Sequence, residues 1–294
     1  MDELTTTIKL NNGVEMPRLG FGVFQVDDLK ICEQAVSDAL ATGYRLIDTA
    51  ATYNNEAAVG AAIRKSGIDR KEIFVTSKAF IHQMGYERTK AAFNESLEKL
   101  GLDYLDLYLV HMPFGDYYGA WRAMTEFYKE GKVRALGVSN FLPDRILDFC
   151  LNHDIEVKPA LNQIEIHPFY QRSEEIKLLQ EQGIVPQAWA PFAEGMNGLF
   201  TNPMLQAIAQ KYDKSVAQVI LRWNLQRGVC VIPKSVHQNR MTENFAVWDF
   251  TLSVEDMQAI AALDLKRPQM VDTLKPSEVH RLYDYVNNPV LTSL

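Results

Sequence analysis

One unit recurs along this chain, and few folds can use it: an amphipathic helix, a glycine, a short loop and an apolar strand. Helix 28–42 stops at Gly43 before strand 44–47, and helix 56–66 stops at Gly67 before strand 73–77. Helix 87–100, Gly101 and strand 105–110 repeat the pattern, as do helix 117–130, Gly131 and strand 133–138. Two later copies are helix 173–182, Gly183 and strand 185–190, and helix 215–227, Gly228 and strand 229–232. Glycine suits the left-handed position that closes a helix, so all six read as stops. One return lacks the glycine: helix 143–152 runs through Asn152-His153-Asp154 to a strand at 160–163. A short strand at 19–21 brings the total to eight. Strands alternating with helices make a parallel sheet, and eight of them can close into a (β/α)8 TIM barrel. An open doubly wound sheet is the alternative.

The remaining segments decorate that α/β frame. Residues 7–16 read as a hairpin with Asn12-Gly13 as its tight turn, placed to plug one end of the barrel. Extra helices fall late in the chain. One starts at Asn202-Pro203, another lies near 238–246, and a third opens on the capping pattern Ser253-Val-Glu-Asp. The tail 265–294 has prolines and aromatics but no clear period, and it either hangs loose or folds over the barrel mouth. No linker or low-complexity stretch divides the chain, so a single domain over 1–294 is expected.

Three apolar strands end on ionisable groups. Tyr44–Ile47 leads to Asp48, with Tyr53 in the loop beyond; Phe74-Val-Thr-Ser leads to Lys78; Leu105–Val110 leads to His111. A buried strand tolerates a charge only where it emerges at an open face, and a barrel gathers its strand ends on one rim. The convergence at several different strands is what favours the barrel over the open sheet. Together these groups suit proton delivery to a carbonyl oxygen. Lys78 would pull the Tyr53 hydroxyl below its usual value of about 10. Asp48 would hold Lys78 charged, and His111 would polarise the same oxygen. Any one of them alone reads as a rim salt bridge or a core side chain; the argument rests on the set.

Composition removes other classes. A net charge of −7 argues against nucleic acid and anionic membranes as partners. No stretch is apolar for long enough to span a bilayer, and the N-terminus lacks a signal-peptide pattern. Cys32, Cys150 and Cys230 have no CxxC spacing and read as reduced thiols, so a cytoplasmic setting is expected. There is no HExxH, no Walker loop and no GxSxG; the histidines are scattered, so no metal site is expected, and Gly20-Phe-Gly22 is too short for a Rossmann fingerprint.

The chain also resembles the aldo-keto reductases along essentially its whole length. The stretches that carry the resemblance are GYRLIDTAATYNNE, FVTSK, LYLVHMP, KVRALGVSNF, PALNQIEIHP, QAWAPF and VIPKSVHQNRMTENF, in the family's order. The bacterial branch with diketogluconate reductases and prostaglandin F synthase-like enzymes is the most similar. The resemblance implies NADPH-dependent reduction of aldehydes or ketones, with Asp48, Tyr53, Lys78 and His111 as the catalytic tetrad and Tyr53 as proton donor. It assigns Ser139, Asn140 and Gln163 to the nicotinamide carboxamide and Trp189 to stacking on its ring. Lys234, Ser235, Arg240, Glu243 and Asn244 fall to the adenine-ribose-phosphate end, where two cations and a hydroxyl near a helix start suit a 2′-phosphate. Trp189, Met112 and His237 stand where many relatives have Tyr, Trp and Thr; His237 would make cofactor affinity pH-dependent. Phe24, Phe80, Met112 and Phe114 are expected to line an apolar substrate pocket, with Leu282–Tyr285 as a lid. A monomer acting on a small carbonyl substrate is expected. The competing reading from another class is an NADP(H)-holding regulatory barrel with little catalysis.

Overall fold

The computed structural model describes residues 6–287. Strands β1 (Thr7–Lys9) and β2 (Glu15–Pro17) form an antiparallel hairpin, and eight parallel strands follow. These are β3 (Phe21–Gly22), β4 (Leu46–Asp48), β5 (Phe74–Ala79), β6 (Leu105–Val110), β7 (Val133–Ser139), β8 (Leu161–Glu165), β9 (Val185–Trp189) and β10 (Cys230–Val231). Each pairs with its neighbour in chain order. The ring closes where the chain around β3 meets β10: Gly20 N–H donates to the Val231 carbonyl (2.8 Å) and Val231 N–H to that of Arg18 (2.9 Å). That closure excludes the open sheet.

Helices α1 (Leu29–Thr42), α2 (Glu56–Lys65), α3 (Tyr86–Leu100), α4 (Tyr117–Lys129), α5 (Pro143–Leu151) and α6 (Ser173–Glu181) lie between successive strands. α7 (Pro203–Lys211) and α8 (Val216–Gln226) precede β10; α9 (Gln238–Phe245), α10 (Val254–Ala261) and α11 (Pro276–Asn287) follow it. The six stop glycines all have positive φ, from 64° at Gly101 to 120° at Gly43. The caps are local too. Asp28 accepts from the first-turn amides of α1, Asn202 from those of α7, and Ser253 from Asp256 N–H. At α10 the reciprocal half of the capping box is missing, because Ser253 N–H donates to the Tyr212 hydroxyl instead.

Alternation along the strands divides the core. Leu107 and Leu109 pack among the residues inside the barrel, while Tyr108 and Val110 join the layer beneath the helices. The hairpin closes the interior: Leu10 and Met16 are buried in the same cluster as Leu46, Phe74 and Leu161. Its loop takes three residues, 11–13, between the paired Leu10 and Val14, with Gly13 at φ 90°. The two-residue turn expected at Asn12-Gly13 is therefore widened, and the side chains of Asn11 and Asn12 use the room to donate to the Pro159 and Arg134 carbonyls.

The tail does not hang loose. It carries α11, which the lack of apolar period had hidden, and that helix lies against the barrel mouth: Leu282 is buried with Phe80, Ile81 and Met112. Residues 288–294 of the expected tail, like residues 1–5, lie outside the described residues.

α2 and α3 approach closely at Gly60, where an added Cβ would stand 1.9 Å from the Leu100 carbonyl oxygen. Gly60→Ala should lower stability by about 3 kcal/mol through overpacking. Gly67→Ala meets nothing within 4 Å and bears only the strain of φ 69°, so its loss should be about 1 kcal/mol. Urea midpoints of the two variants measure the difference.

Candidate active site

Parallel strands in a closed ring bring their C-terminal ends to one face, and the expected groups arrive there from separate strands. Asp48 ends β4, Lys78 lies one residue from the end of β5, and His111 follows β6. Tyr53 sits in the short helical turn Ala51–Tyr53 after β4. Lys78 is fully buried, and its ammonium contacts Asp48 Oδ1, the Thr49 carbonyl (2.9 Å) and the Tyr53 hydroxyl (3.4 Å). His111 packs edge-on to Tyr53 with ring centroids 5.7 Å apart. Asp48, Tyr53 and His111 line one cavity of about 440 Å³, with Lys78 beneath them.

Burial governs the protonation of this group. It raises Asp48 and lowers Lys78, and each is held against that tendency by contact with the other. The Tyr53 hydroxyl departs from expectation: burial pushes it well above the ordinary phenol range, with Asp48 and Tyr285 adding to the rise. The ammonium beside it does not prevail, because Asp48 offsets its charge in the same dry space. Tyr53 is therefore a protonated phenol rather than an acidified one. His111 is held well below the usual histidine range by burial and then by the Lys78 charge. Its Nδ1 is buried without a partner.

Beside the tetrad, β7, β8 and β9 supply a second set of groups. Gln163 Nε2 donates to Asp48 Oδ2 (2.7 Å) and to Gln187 Oε1 (2.8 Å), so it braces the ion pair as well as lining the cavity. Ser139 Oγ donates to the Gln163 carbonyl, and Asn140 Nδ2 reaches Ser139 Oγ at 3.1 Å. Asn140, at φ 62°, also accepts from the Trp189 indole N–H at 2.9 Å. This ring of amide, hydroxyl and indole groups is the chemistry a carboxamide and its flat ring require.

A second cavity of about 840 Å³ continues from the first through Phe192, Glu194 and Lys234, which line both. Ser235, Arg240, Glu243 and Asn244 line it, together with His237. Lys234 and Arg240 are exposed and have no ion-pair partner among the described residues. Glu243 instead accepts from the Ser215 hydroxyl at 2.5 Å. His237 precedes α9 without capping it by its side chain, which leaves the first-turn amides of α9 without a side-chain cap. A long cleft with a stacking and amide-bonding end and a cationic end fits a phosphorylated dinucleotide.

Phe24, Phe80 and Met112 line the first cavity, as expected. Phe114 does not: it packs behind the wall, against the cluster of Phe80, Ile81, Met112 and Leu282, with its ring near Tyr283. The tail closes the mouth with Met270, Val271, Arg281, Leu282 and Tyr285. Tyr285 donates to the Thr52 carbonyl and stacks edge-on to Phe80 at 5.5 Å. Sequence reasoning missed Met270, Val271 and Arg281 because an aperiodic tail shows no face. It also missed the segment 193–201, where Ala193, Glu194 and Asn197 take left-handed backbone and lead the chain along both cavities. The two glycines at Gly195 and Gly198 were the available signal.

Comparison with known proteins agrees with this geometry. The aldo/keto reductase family model matches residues 18–265. Glyoxal reductase of Bacillus subtilis is 50% identical over 262 residues, spanning 89% of this chain and 94% of its own. Methylglyoxal reductase of Escherichia coli is 41% identical over 265 residues, spanning 88% and 94%. Among solved structures, an aldo/keto reductase from Brucella melitensis superposes with a TM-score of 0.82 at 45% identity, covering 88% of this chain and 99% of its own. A Bombyx mori aldo-keto reductase in complex with NADP gives 0.86 at 34% identity, covering 93% and 96%.

The lowered His111 has a consequence for stability. The unfolded chain takes up a proton near pH 6.5 that the folded site refuses, so this contribution is present above that pH and is lost as pH falls below it. His111→Gln should flatten the acid-side slope by at most about 1.4 kcal/mol per pH unit. Denaturant midpoints of the two proteins between pH 5 and 7 test this.

Proposed function

The chain belongs to the aldo/keto reductase family and is an NAD(P)-dependent oxidoreductase acting on carbonyl groups; from that premise we propose that it reduces aldehydes and ketones to alcohols with NADPH, Tyr53 delivering the proton. The observation that supports this most is the meeting of the Tyr53 hydroxyl, the Lys78 ammonium and His111 at the floor of one apolar cavity. The cofactor, when bound, supplies hydride to the carbonyl carbon. Ser139, Asn140, Gln163 and Trp189 would hold its nicotinamide end, and Lys234, Ser235, Arg240, Glu243 and Asn244 its phosphate end.

The residues then divide the remaining work. The substrate carbonyl oxygen takes the position between the Tyr53 hydroxyl and His111 Nε2–H, and both donate to it. As negative charge develops on that oxygen it becomes a far stronger base than phenolate, so a phenol with a raised pKa still transfers its proton downhill. The phenolate left behind stands 3.4 Å from the Lys78 ammonium, which stabilises it. Asp48 keeps that ammonium charged and in place, and Gln163 fixes the second carboxylate oxygen. Phe24, Phe80 and Met112 exclude water and favour apolar carbonyl compounds. With every member of the tetrad present and converging, the reading as a regulatory barrel of little catalysis has no observation in its favour.

Tyr53→Phe should reduce kcat by roughly 10²–10⁴-fold while NADPH affinity stays within about twofold. NADPH oxidation with a simple aldehyde and titration of cofactor binding by protein fluorescence check the two halves; weakened cofactor binding or undiminished turnover would reject the assignment. Lys234→Met and Arg240→Met should each reduce the preference for NADPH over NADH by about tenfold, the loss of one charge-assisted phosphate contact. Equal affinity of the unaltered protein for the two cofactors would reject the phosphate site.

A further inference from the structure

At the end of β8, facing the tail, stands a charge that neither the tetrad nor the cofactor cleft employs. Glu165 is 1% exposed, and among the described residues no Lys or Arg pairs with it. A carboxylate buried in that way must be met by hydrogen-bond donors. It accepts from the backbone N–H groups of Gln269 (2.7 Å) and Val271 (3.4 Å), and its Oε1 lies 3.0 Å from His167 Nε2. His167 is fully buried, and with a carboxylate oxygen at hydrogen-bond distance its Nε2 carries a hydrogen, making the ring a third donor.

The donors come from a segment 104 residues downstream that has no ladder of its own. Residues 266–275 form neither helix nor strand, so their placement depends on bonds to other parts of the fold. The Gln269 side chain adds one more, accepting from Asn197 Nδ2 at 3.1 Å. Between and beside the two captured amides stand Met270 and Val271, and both line the cavity that holds Tyr53.

We propose that Glu165 is a positioning residue for the substrate wall: by holding the Gln269 and Val271 amides it sets Met270 and Val271 against the cavity, and through them governs the binding of bulky apolar carbonyl substrates. The role of that wall rests on the reductase reading above; the anchoring itself does not. A substrate of two carbons has little apolar surface to bury against Met270 and Val271, whereas an aromatic aldehyde has far more. The anchor therefore acts on substrate size more than on the chemical step.

The test uses the full chain and its Glu165→Gln variant, with hydrogen exchange read at Gln269 and Val271 and kinetics read with benzaldehyde and glyoxal. The variant should exchange those two amides at least about tenfold faster and raise KM for benzaldehyde about five- to tenfold. Its kcat for benzaldehyde should move by less than about twofold, and the KM rise for glyoxal should be much the smaller of the two. A second variant, Met270→Ala with Val271→Ala, leaves the carboxylate intact and should show the same size-selective loss. Unaltered amide protection in Glu165→Gln, equal losses for the two substrates, or an unchanged benzaldehyde KM in the double variant would each overturn the proposal. Should Glu165→Gln fail to fold, the double variant alone decides. Should the unaltered protein reduce neither substrate, the reductase reading fails, and amide exchange still reports whether Glu165 anchors the tail.

Discussion

The contact on which the site depends is the buried ion pair between Lys78 and Asp48. Neither charge is sustainable alone at that depth: burial drives the carboxyl up and the amine down, and only their contact, with the Thr49 carbonyl and the Gln163 amide, holds both charged. An isolated pair of this kind contributes little net stability once desolvation is counted, so its use is positional. It fixes an ammonium beside the Tyr53 hydroxyl and ties three strands, β4, β5 and β8, at one point of the rim.

That constraint explains the division of labour around it. The barrel supplies rigid strand ends, three of which carry Asp48, Lys78 and His111; the irregular segments supply the walls. Segment 193–201 and α9 shape the second cavity, while α11 and the strap before it close the mouth of the first. In the reading proposed above, Lys234 and Arg240 have no ion-pair partner among the described residues, while Phe24, Phe80, Met112, Met270, Val271 and Leu282 make the other wall apolar and Arg281 beside them is paired with Glu278. A cavity over a protonated phenol and a neutral imidazole is suited to a carbonyl group, whose oxygen acquires charge only in the transition state.

Much of this was legible in the chain because it depends on near neighbours. The six stop glycines, the Asn202 and Ser253 caps and the strand-end placement of Asp48, Lys78 and His111 are consequences of backbone preference and of alternation along buried strands. Long-range packing hid the rest. Phe114 looked like pocket wall from its place after His111, but the fold turns it into the cluster beneath α11. The expected acidity of Tyr53 counted one neighbouring charge; burial and Asp48, which the sequence does not rank, outweighed it.

The sequence by itself determined the number and order of the barrel strands and of the helices that alternate with them, and the kinds of chemical group that could meet at one rim, since periodicity, caps and strand ends are written within a few residues. Tertiary structure alone decided which of those groups are dry, which amides Glu165 receives, and that the tail is a wall rather than a free end. Those outcomes turn on desolvation and on contacts between segments far apart in the chain, and neither quantity exists until the barrel has closed.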